Sequence, residues 1–561
     1  MMIGLYFLSC YLITVAVSIK SRPEDVFYQA SVVEYNPFSG KDGNDTLFKN
    51  ANEYAKLIKV AAKDADIIVF PELGLNYDDD TIYIEIPIGI APVDNSSSHP
   101  VLRQLSKAAK DNEVYVSFTI HEKDKSSDGK ILRYNTNVVF DRHGVIVARY
   151  RKYNLFNEDY LNVTEVPEVV FFDSDFGVRF GMFICFDVFY KEPALTLVYE
   201  KNITDIIYPS WWFSELPSML SVQMQFAWSY MTDTNLLAAG INSIERSSTG
   251  SGIYAGRKGP LVYVFSEQDE TKILTAKVFK KGKDDGLSWN KWELLKSSFD
   301  ESDLQLWNED LSLYETTLLT PVRSNGSETD FKDNLILTEI LNKTMCQGTL
   351  CCEFKVNMTF TYRPEAYLNM SDPSYTKNDS FYHYHYRLAV HDGERGFYGA
   401  KFAGIQVCSI MPCLNYSLSS CSKKSGNTLP IMIETSNYGK IYLHSTSFNS
   451  ISIKAVSKNF IDFTFPDVLV SFNHSNPKLN KKAFGSLPDV SKIKFDTNHF
   501  TSNLKFSSDR LAFAGIYSRI VSRDREEKKH EENSSVKCES HIPLSIFMAL
   551  FVIFSFTKMY I

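Results

Sequence analysis

The sequence predicts an α/β layered domain followed by a second, mostly β domain held together by disulfides. Three observations carry that expectation. Strand-like and helix-like segments alternate from about Asp25 to Thr316. A polar, glycine-bearing stretch from Pro321 to Phe331 then reads as a linker into β-rich sequence. Cys346, Cys351, Cys352, Cys408, Cys413 and Cys421 crowd into that later region and can make three disulfides there, with pairing left open.

Each element can be argued in turn. Val26–Val32 opens as a strand. Asp45 or Thr46 is expected to cap a helix whose apolar face takes Leu47, Ala51, Tyr54, Leu57, Ile58 and Ala61. Strand Ile67–Phe70 stops at Pro71. A second helix runs through Val101, Leu102, Leu105, Ala108 and Ala109, ahead of strands near Val114–Ile120 and Asn137–Phe140. His143-Gly144 turns the chain into strand Val145–Tyr150. Strand Phe180–Ile184 leads to Cys185. A helix through Ala194–Val198, a strand at Ile206–Tyr208, a longer helix over Leu216–Met231 and a strand at Leu236–Ala239 follow. Beyond the linker, Phe354–Tyr362, Tyr382–Val390, Ile431–Glu434 and Ile451–Val456 read as strands. The expected domains are therefore residues 25–318 and 330–522. A chain of 561 residues is too long for one ordinary core, and 44% hydrophobic residues with 14% aromatics suffice for two.

Both ends read as processing signals. Ile3 to Val17 is apolar and Ala16-Val17-Ser18 supplies small residues, so residues 1–18 are expected to be a signal peptide. Residues 523–561 combine the charge run Arg523 to Glu532, read as a solvated stalk, with an apolar tail, Pro543 to Phe556. That tail is shorter than the roughly 20 residues a spanning helix needs. Asn533, Ser534 and Ser535 before it are the expected glycosylphosphatidylinositol attachment candidates, with a plain membrane anchor as the alternative. Asn-x-Ser/Thr triplets at Asn44, Asn95, Asn162, Asn202, Asn325, Asn342, Asn357, Asn369, Asn378, Asn415, Asn473 and Asn533 point to a glycosylated exterior. A net charge of −8 leaves no basic field for nucleic acid.

Against this background Cys185 stands out. It is alone in the first half, in a chain expected to face an oxidising compartment, and catalysis is one reason to keep such a thiol. Phe70-Pro71-Glu72, Arg151-Lys152-Tyr153 and Ile184-Cys185-Phe186-Asp187 each follow a buried-strand pattern. A base, a cation and a thiol at core strand ends are the parts needed for covalent acyl transfer at a C–N bond. Glu72 is either the base that removes the thiol proton, if partly desolvated, or a capping or salt-bridged carboxylate at a strand exit. Lys152 sits in a context, Tyr153-Asn154-Leu155-Phe156, that looks packed, and a buried ammonium must face an anion. Lys152 with the backbone N–H of Phe186 can hold a developing oxyanion. Asp187 reads as a structural acceptor. Glu158 is either an electrostatic helper or a surface-loop carboxylate, and Trp211 and Trp212 are either pocket walls or core. His383 and His385 share a strand face but lack further ligands at metal spacing, so no metal and no cofactor is expected. Gly250-Ser251-Gly252 reads as a turn.

These residues resemble the Glu-Lys-Cys amidohydrolases of the nitrilase superfamily. Within it, Arg149–Phe156, Phe183–Asp187 and Thr249–Tyr254 resemble the vanin (pantetheinase) and biotinidase branch. The resemblance implies an αββα sandwich with a β-rich base domain, and Glu72 as general base, Lys152 as oxyanion stabiliser and Cys185 as nucleophile. It implies a small-molecule amide as partner, pantetheine first and biotin amides as the alternative, on a monomer tied to the outer membrane face by its lipid anchor. A glycosylated surface receptor without turnover is the reading from another class.

Overall fold

The computed structural model describes residues 20–77, 81–266, 268–283, 293–294, 304, 306–320, 335–364, 384–397, 401–423, 433–435, 441–470, 487–508 and 511–526. The expected signal peptide, the linker, the attachment residues with their tail, and Asn325, Asn369, Asn378, Asn473 and His383 lie outside them.

The first unit is an αββα sandwich. Its first sheet runs Lys272–Phe279, Phe27–Glu34, Ile67–Val69, Tyr115–Lys125, Ile131–Phe140 and Ile146–Arg151. The second runs Glu293–Leu294, Pro260–Val264, Ser251–Ala255, Asn235–Gly240, Asp205–Ser210, Arg179–Met182 and Phe171–Asp173. The two-residue period of a strand sorts its side chains between layers. Tyr28, Ala30, Val32, Ile67 and Val69 fill the space between the sheets, against Ile206, Leu236 and Ile253. Their neighbours Val33, Ile68 and Phe70 turn the other way, onto the helices. Helix Gly43–Ala61 covers that outer face with Leu47, Ala51, Tyr54 and Ile58, and helix Pro100–Asp111 with Leu102 and Leu105. Helix Ser221–Thr232 is buried nearly all round, because it lies between the second sheet and the second unit.

Several expected boundaries move, each for a local reason. The first helix is capped by Asp42, whose side chain accepts from the Asp45 N–H at 2.8 Å; Asp45 and Thr46 instead accept from Lys41 and Gly40 in the preceding loop. The long helix begins at Ser221 rather than Leu216, since Pro217 disfavours helical geometry at the residue before it and Glu215–Leu216 pairs in a short ladder with Trp307–Asn308. The helix after Cys185 is split into a π turn, Lys191–Leu195, and Thr196–Tyr199. Gly252 lies in strand Ser251–Ala255 rather than in a turn.

The second unit is a β-sandwich. One sheet runs Glu315–Leu319, His385–Phe397, Lys401–Cys413, Leu511–Arg519 and Phe463–Val470; the other runs Leu335–Gln347, Leu350–Pro364, Ile441–Ser457, Thr501–Ser508 and Lys494–Thr497. Glu315–Leu319 precedes the linker in sequence yet pairs with His385–Phe397, Thr316 opposite Ala389. The cysteines pair as Cys346–Cys351, Cys352–Cys408 and Cys413–Cys421. Cys352–Cys408 joins the two sheets and closes a loop of 56 residues, a constraint on the unfolded chain of about 4 kcal/mol. Arg523, read in sequence as the head of a solvated stalk, instead pairs with Asp392 because the strand Leu511–Arg519 carries it back onto the sheet. Of the described glycosylation candidates, Asn44, Asn202, Asn342 and Asn415 are exposed, whereas Asn95, Asn162 and Asn357 are half-buried. Among the described residues no helix is long and apolar enough to cross a membrane.

One polar knot ties the two sheets of the first unit. Glu34, fully buried, accepts from Thr249 Oγ1 at 2.8 Å, from the Gly250 N–H at 2.9 Å and from Ser251 Oγ. Burial, only partly offset by those donors, pushes its carboxyl up to about 7. Between about pH 4.5 and 7 the folded chain therefore keeps a proton that the unfolded chain has released, and stability falls as pH rises through that window, by about 3 kcal/mol at most. Glu34→Gln, which has no charge to bury, is expected to flatten this slope. Melting temperatures measured from pH 4.5 to 7.5 check it, and an unchanged slope contradicts the assignment.

Candidate active site

Three strand ends meet where the sheets face each other. Glu72 follows Ile67–Val69 after Phe70-Pro71, and Leu73, at φ +50°, turns the chain away while its N–H donates to Thr119 Oγ1. Lys152 follows Ile146–Arg151, with its N–H on the Asn135 carbonyl at 2.9 Å. Cys185 lies just past Arg179–Met182 and opens the 3₁₀ turn Cys185–Phe189.

The Lys152 ammonium is buried between two carboxylates, 2.7 Å from Glu72 Oε1 and 2.6 Å from Glu158 Oε2. Asn135 Nδ2 donates to both, at 2.8 Å to Glu72 and 2.7 Å to Glu158. The Trp211 N–H donates to Glu72 Oε2 at 2.8 Å, and the Phe156 N–H to Glu158 Oε2 at 3.1 Å. Glu158 is therefore a buried partner of the lysine and not a surface-loop carboxylate. Burial alone would discharge Lys152, but Glu158, Glu72 and Cys185 hold its pKa well above the usual range. The two carboxylates are driven apart. Burial raises Glu72, with Lys152 opposing and Glu158 reinforcing the rise. At Glu158 the lysine and its hydrogen bonds overcome burial, and the carboxyl falls below its ordinary value. One carboxylate is thus a standing counter-ion, and the other is able to take up a proton.

Cys185 is held at φ +45°, a left-handed backbone that a residue with a Cβ adopts at a cost of about 1–3 kcal/mol. The surroundings over-determine it. Tyr208 OH donates to the Cys185 carbonyl at 3.0 Å. Asp187 accepts from the Ile184 N–H at 3.0 Å, from Tyr150 OH at 2.8 Å and from the N–H and Nδ2 of Asn154 at 2.9 and 2.8 Å. Asp187 is thereby a structural acceptor that fixes the turn carrying the thiol. Burial and the neighbouring Glu72 charge push the thiol well above its ordinary range, with Lys152 partly opposing. The Sγ lies 3.6 Å from the Trp211 carbonyl.

A cavity of about 80 Å³ opens beside the thiol, walled by aromatic side chains that include Phe186, Trp211 and Trp212. Both tryptophans stand on the wall, and Trp212 is also anchored through Nε1 to the Met219 carbonyl at 2.8 Å. Sequence reading missed Asn135, Tyr208 and Glu34. Asn135 has a signal: the polar run Asn135-Thr136-Asn137 leads directly into the apolar, fully buried Val138-Val139-Phe140 of the same strand. Among the described residues no group of three or more His, Cys, Asp or Glu side chains is placed to hold a metal ion.

With a buried free thiol at this edge of an αββα sandwich, the chain matches a family that defines its class, enzymes that hydrolyse amide C–N bonds. The family described as carbon-nitrogen hydrolase matches residues 30–241, and the one described as vanin C-terminal domain matches residues 323–524. Vanin-like protein 1 of Drosophila melanogaster is 33% identical over 470 residues, covering 80% of this chain and 77% of that protein. Mouse (Mus musculus) pantetheinase is 30% identical over 495 residues, covering 83% and 82%. A solved Saccharomyces cerevisiae member of branch 10 of the nitrilase superfamily is 18% identical, with a TM-score of 0.37, over 46% of this chain and 94% of that one. The chain belongs to the vanin family of carbon–nitrogen hydrolases.

The charge arrangement makes a direct forecast. Lys152→Met leaves two buried carboxylates around one amide, and removing one partner of a buried ion pair costs about 3–5 kcal/mol. The variant is expected to melt well below wild type at pH 8 and to recover part of that loss at pH 5, where the carboxyl groups can share a proton. Melting curves at the two pH values measure it; a pH-independent deficit contradicts the shared-lysine geometry.

Proposed function

We propose that this enzyme cleaves secondary amides through a thioester on Cys185, and that pantetheine, split to pantothenate and cysteamine, is its substrate. The observation that carries the reading is the junction of Glu72, Lys152 and Cys185 through the Trp211 segment. The Trp211 N–H holds Glu72, and its carbonyl faces the thiol. The substrate choice rests on relatives named pantetheinase.

The raised thiol pKa favours attack assisted by a base over a resting thiolate. In the proposed sequence Glu72 takes the Cys185 proton as sulfur bonds to the amide carbon. Lys152 and the Phe186 N–H receive the charge that builds on oxygen. Collapse breaks the C–N bond, and Glu72 returns its proton to the departing amine. Water, deprotonated by Glu72, then attacks the thioester and releases the acid and the thiol. Glu158 keeps Lys152 charged throughout, so the ammonium does not compete for the proton that Glu72 carries. Exposed sequons and three disulfides support placing the enzyme outside the cell, and the sequence of its end supports a lipid anchor there.

Turnover of pantetheine and biocytin, with wild type beside Cys185→Ala and Glu72→Gln, tests this. Wild type is expected to release cysteamine and to show an acylated Cys185 by mass spectrometry. Each variant is expected to lose at least about 1000-fold in kcat/KM. Retained activity in Cys185→Ala means the nucleophile is misassigned, and preference for biocytin moves the substrate to biotin amides.

A further inference from the structure

One wall of the cavity beside Cys185 does not come from the hydrolase unit. Phe186, Trp211 and Trp307 stand on one side, and Gly396 and Phe397 of strand His385–Phe397, from the second unit, face them. The Phe397 ring centroid lies 5.2 Å from Phe186, 5.8 Å from Phe189 and 6.5 Å from Phe156. Phe186 is the residue directly after the nucleophile, so the second unit reaches the reacting end of the cavity and not merely its rim.

The strand end is pinned there by charge. Arg395 is almost fully buried; its Nη2 pairs with Glu215 Oε2, and its Nη1 lies 3.3 Å from Glu309 Oε2. Both carboxylates belong to the pocket's own frame. Glu215 is on the wall, and Glu309 follows Trp307–Asn308, which pairs with Glu215–Leu216. The guanidinium sits 5.3 Å from the Phe397 ring centroid. A buried arginine at an interface is retained only where its partners are in place, so its position fixes the ring beside it.

We propose that Phe397 is a specificity-determining residue of the hydrolase site, positioned by Arg395, and that the substrate group it faces is uncharged and apolar. This rests on the reading of Cys185 as the acylated residue. Among the described residues the one charged side chain on the wall is Glu215, and it is already paired with Arg395. What the wall mainly offers a ligand is aromatic face and the Met219 side chain, which reward an alkyl or thioalkyl group and penalise a charged one.

The test compares full-length wild type, Phe397→Ala, Phe397→Trp, Arg395→Met and Arg395→Lys. Alkylation of Cys185 by iodoacetamide and by a bulky N-aryl iodoacetamide is followed by mass spectrometry, beside kcat and KM for pantetheine. The bulky-to-small rate ratio is expected to rise about fivefold or more in Phe397→Ala and to fall in Phe397→Trp. Opposite shifts of that kind do not follow from a merely structural role. KM for pantetheine is expected to rise about tenfold in Phe397→Ala, with a smaller change in kcat. Arg395→Met moves the ratio in the direction of Phe397→Ala, and Arg395→Lys restores part of it. Ratios within twofold of wild type in both Phe397 variants overturn the inference. A wild type that turns over no pantetheine while the ratios still shift sinks the substrate reading and leaves this wall in place.

Discussion

The Lys152 ammonium, closed off from water between Glu72 and Glu158, is the constraint around which the hydrolase unit is arranged. A lone buried charge of this kind would cost several kcal/mol, so the ammonium is held only because Glu158 and Glu72 face it, while burial and the Glu158 charge push Glu72 toward its neutral form. That requirement reaches outward into the backbone. Asn135 must stand mid-strand to divide its amide between the two carboxylates, and the Trp211 and Phe156 N–H groups must be spent on them instead of on a ladder. Two carboxylates sharing one cation could have been equivalent. They are not: at Glu158 the lysine and the hydrogen bonds outweigh burial, whereas at Glu72 burial and the neighbouring Glu158 charge outweigh the lysine. Under the mechanism proposed above, that asymmetry is what frees Glu72 to carry a proton while the lysine stays charged.

Much of this is legible in the sequence alone, and the reason is where the residues sit. A carboxylate, a lysine and a cysteine each within a few residues of an apolar run, Ile67–Phe70, Val145–Ala148 and Phe180–Ile184, announce strand ends, and strand ends in a layered α/β unit gather at one edge. The same logic failed for side chains whose role depends on a distant partner. Glu34 ends the first strand, two residues past the expected Val26–Val32, and nothing local marks it; only the approach of Thr249, Gly250 and Ser251 from the other sheet makes it a buried joint. The glycines of Gly250-Ser251-Gly252 suggest a turn, although Ser251 and Gly252 are in a paired strand. Glu158 reads equally as helper or surface carboxylate for the same reason: nothing local says that its loop folds back over Lys152.

Element boundaries slipped where a local signal competed with a tertiary one. The apolar pattern over Leu216–Met231 continues across Pro217, so periodicity alone starts the helix too early, whereas the chain uses Glu215–Leu216 to pair with Trp307–Asn308. Arg523 sits in a charge run that composition assigns to solvent, but Asp392 claims it because Leu511–Arg519 delivers it to the sheet. In both cases the deciding contact is more than 80 residues away, beyond the reach of any window.

The second unit is therefore not an appendage. Helix Ser221–Thr232 loses its exposed face because that unit covers it, with Gln223 donating to the buried Asp467 of strand Phe463–Val470 at 2.5 Å. Arg519 continues the contact from the same sheet, its Nε on the Phe189 carbonyl at 3.3 Å, at the far end of the turn that begins with Cys185. A helix buried on all sides cannot be left bare without exposing apolar surface to water, so the hydrolase unit would not keep its geometry without its neighbour. The interface that stabilises the sandwich also reaches both ends of the nucleophile turn, through Arg519 at Phe189 and Phe397 at Phe186. Stability and the shape of the cavity are in this way set by one set of contacts, and a change in the second unit's fold is felt at the thiol.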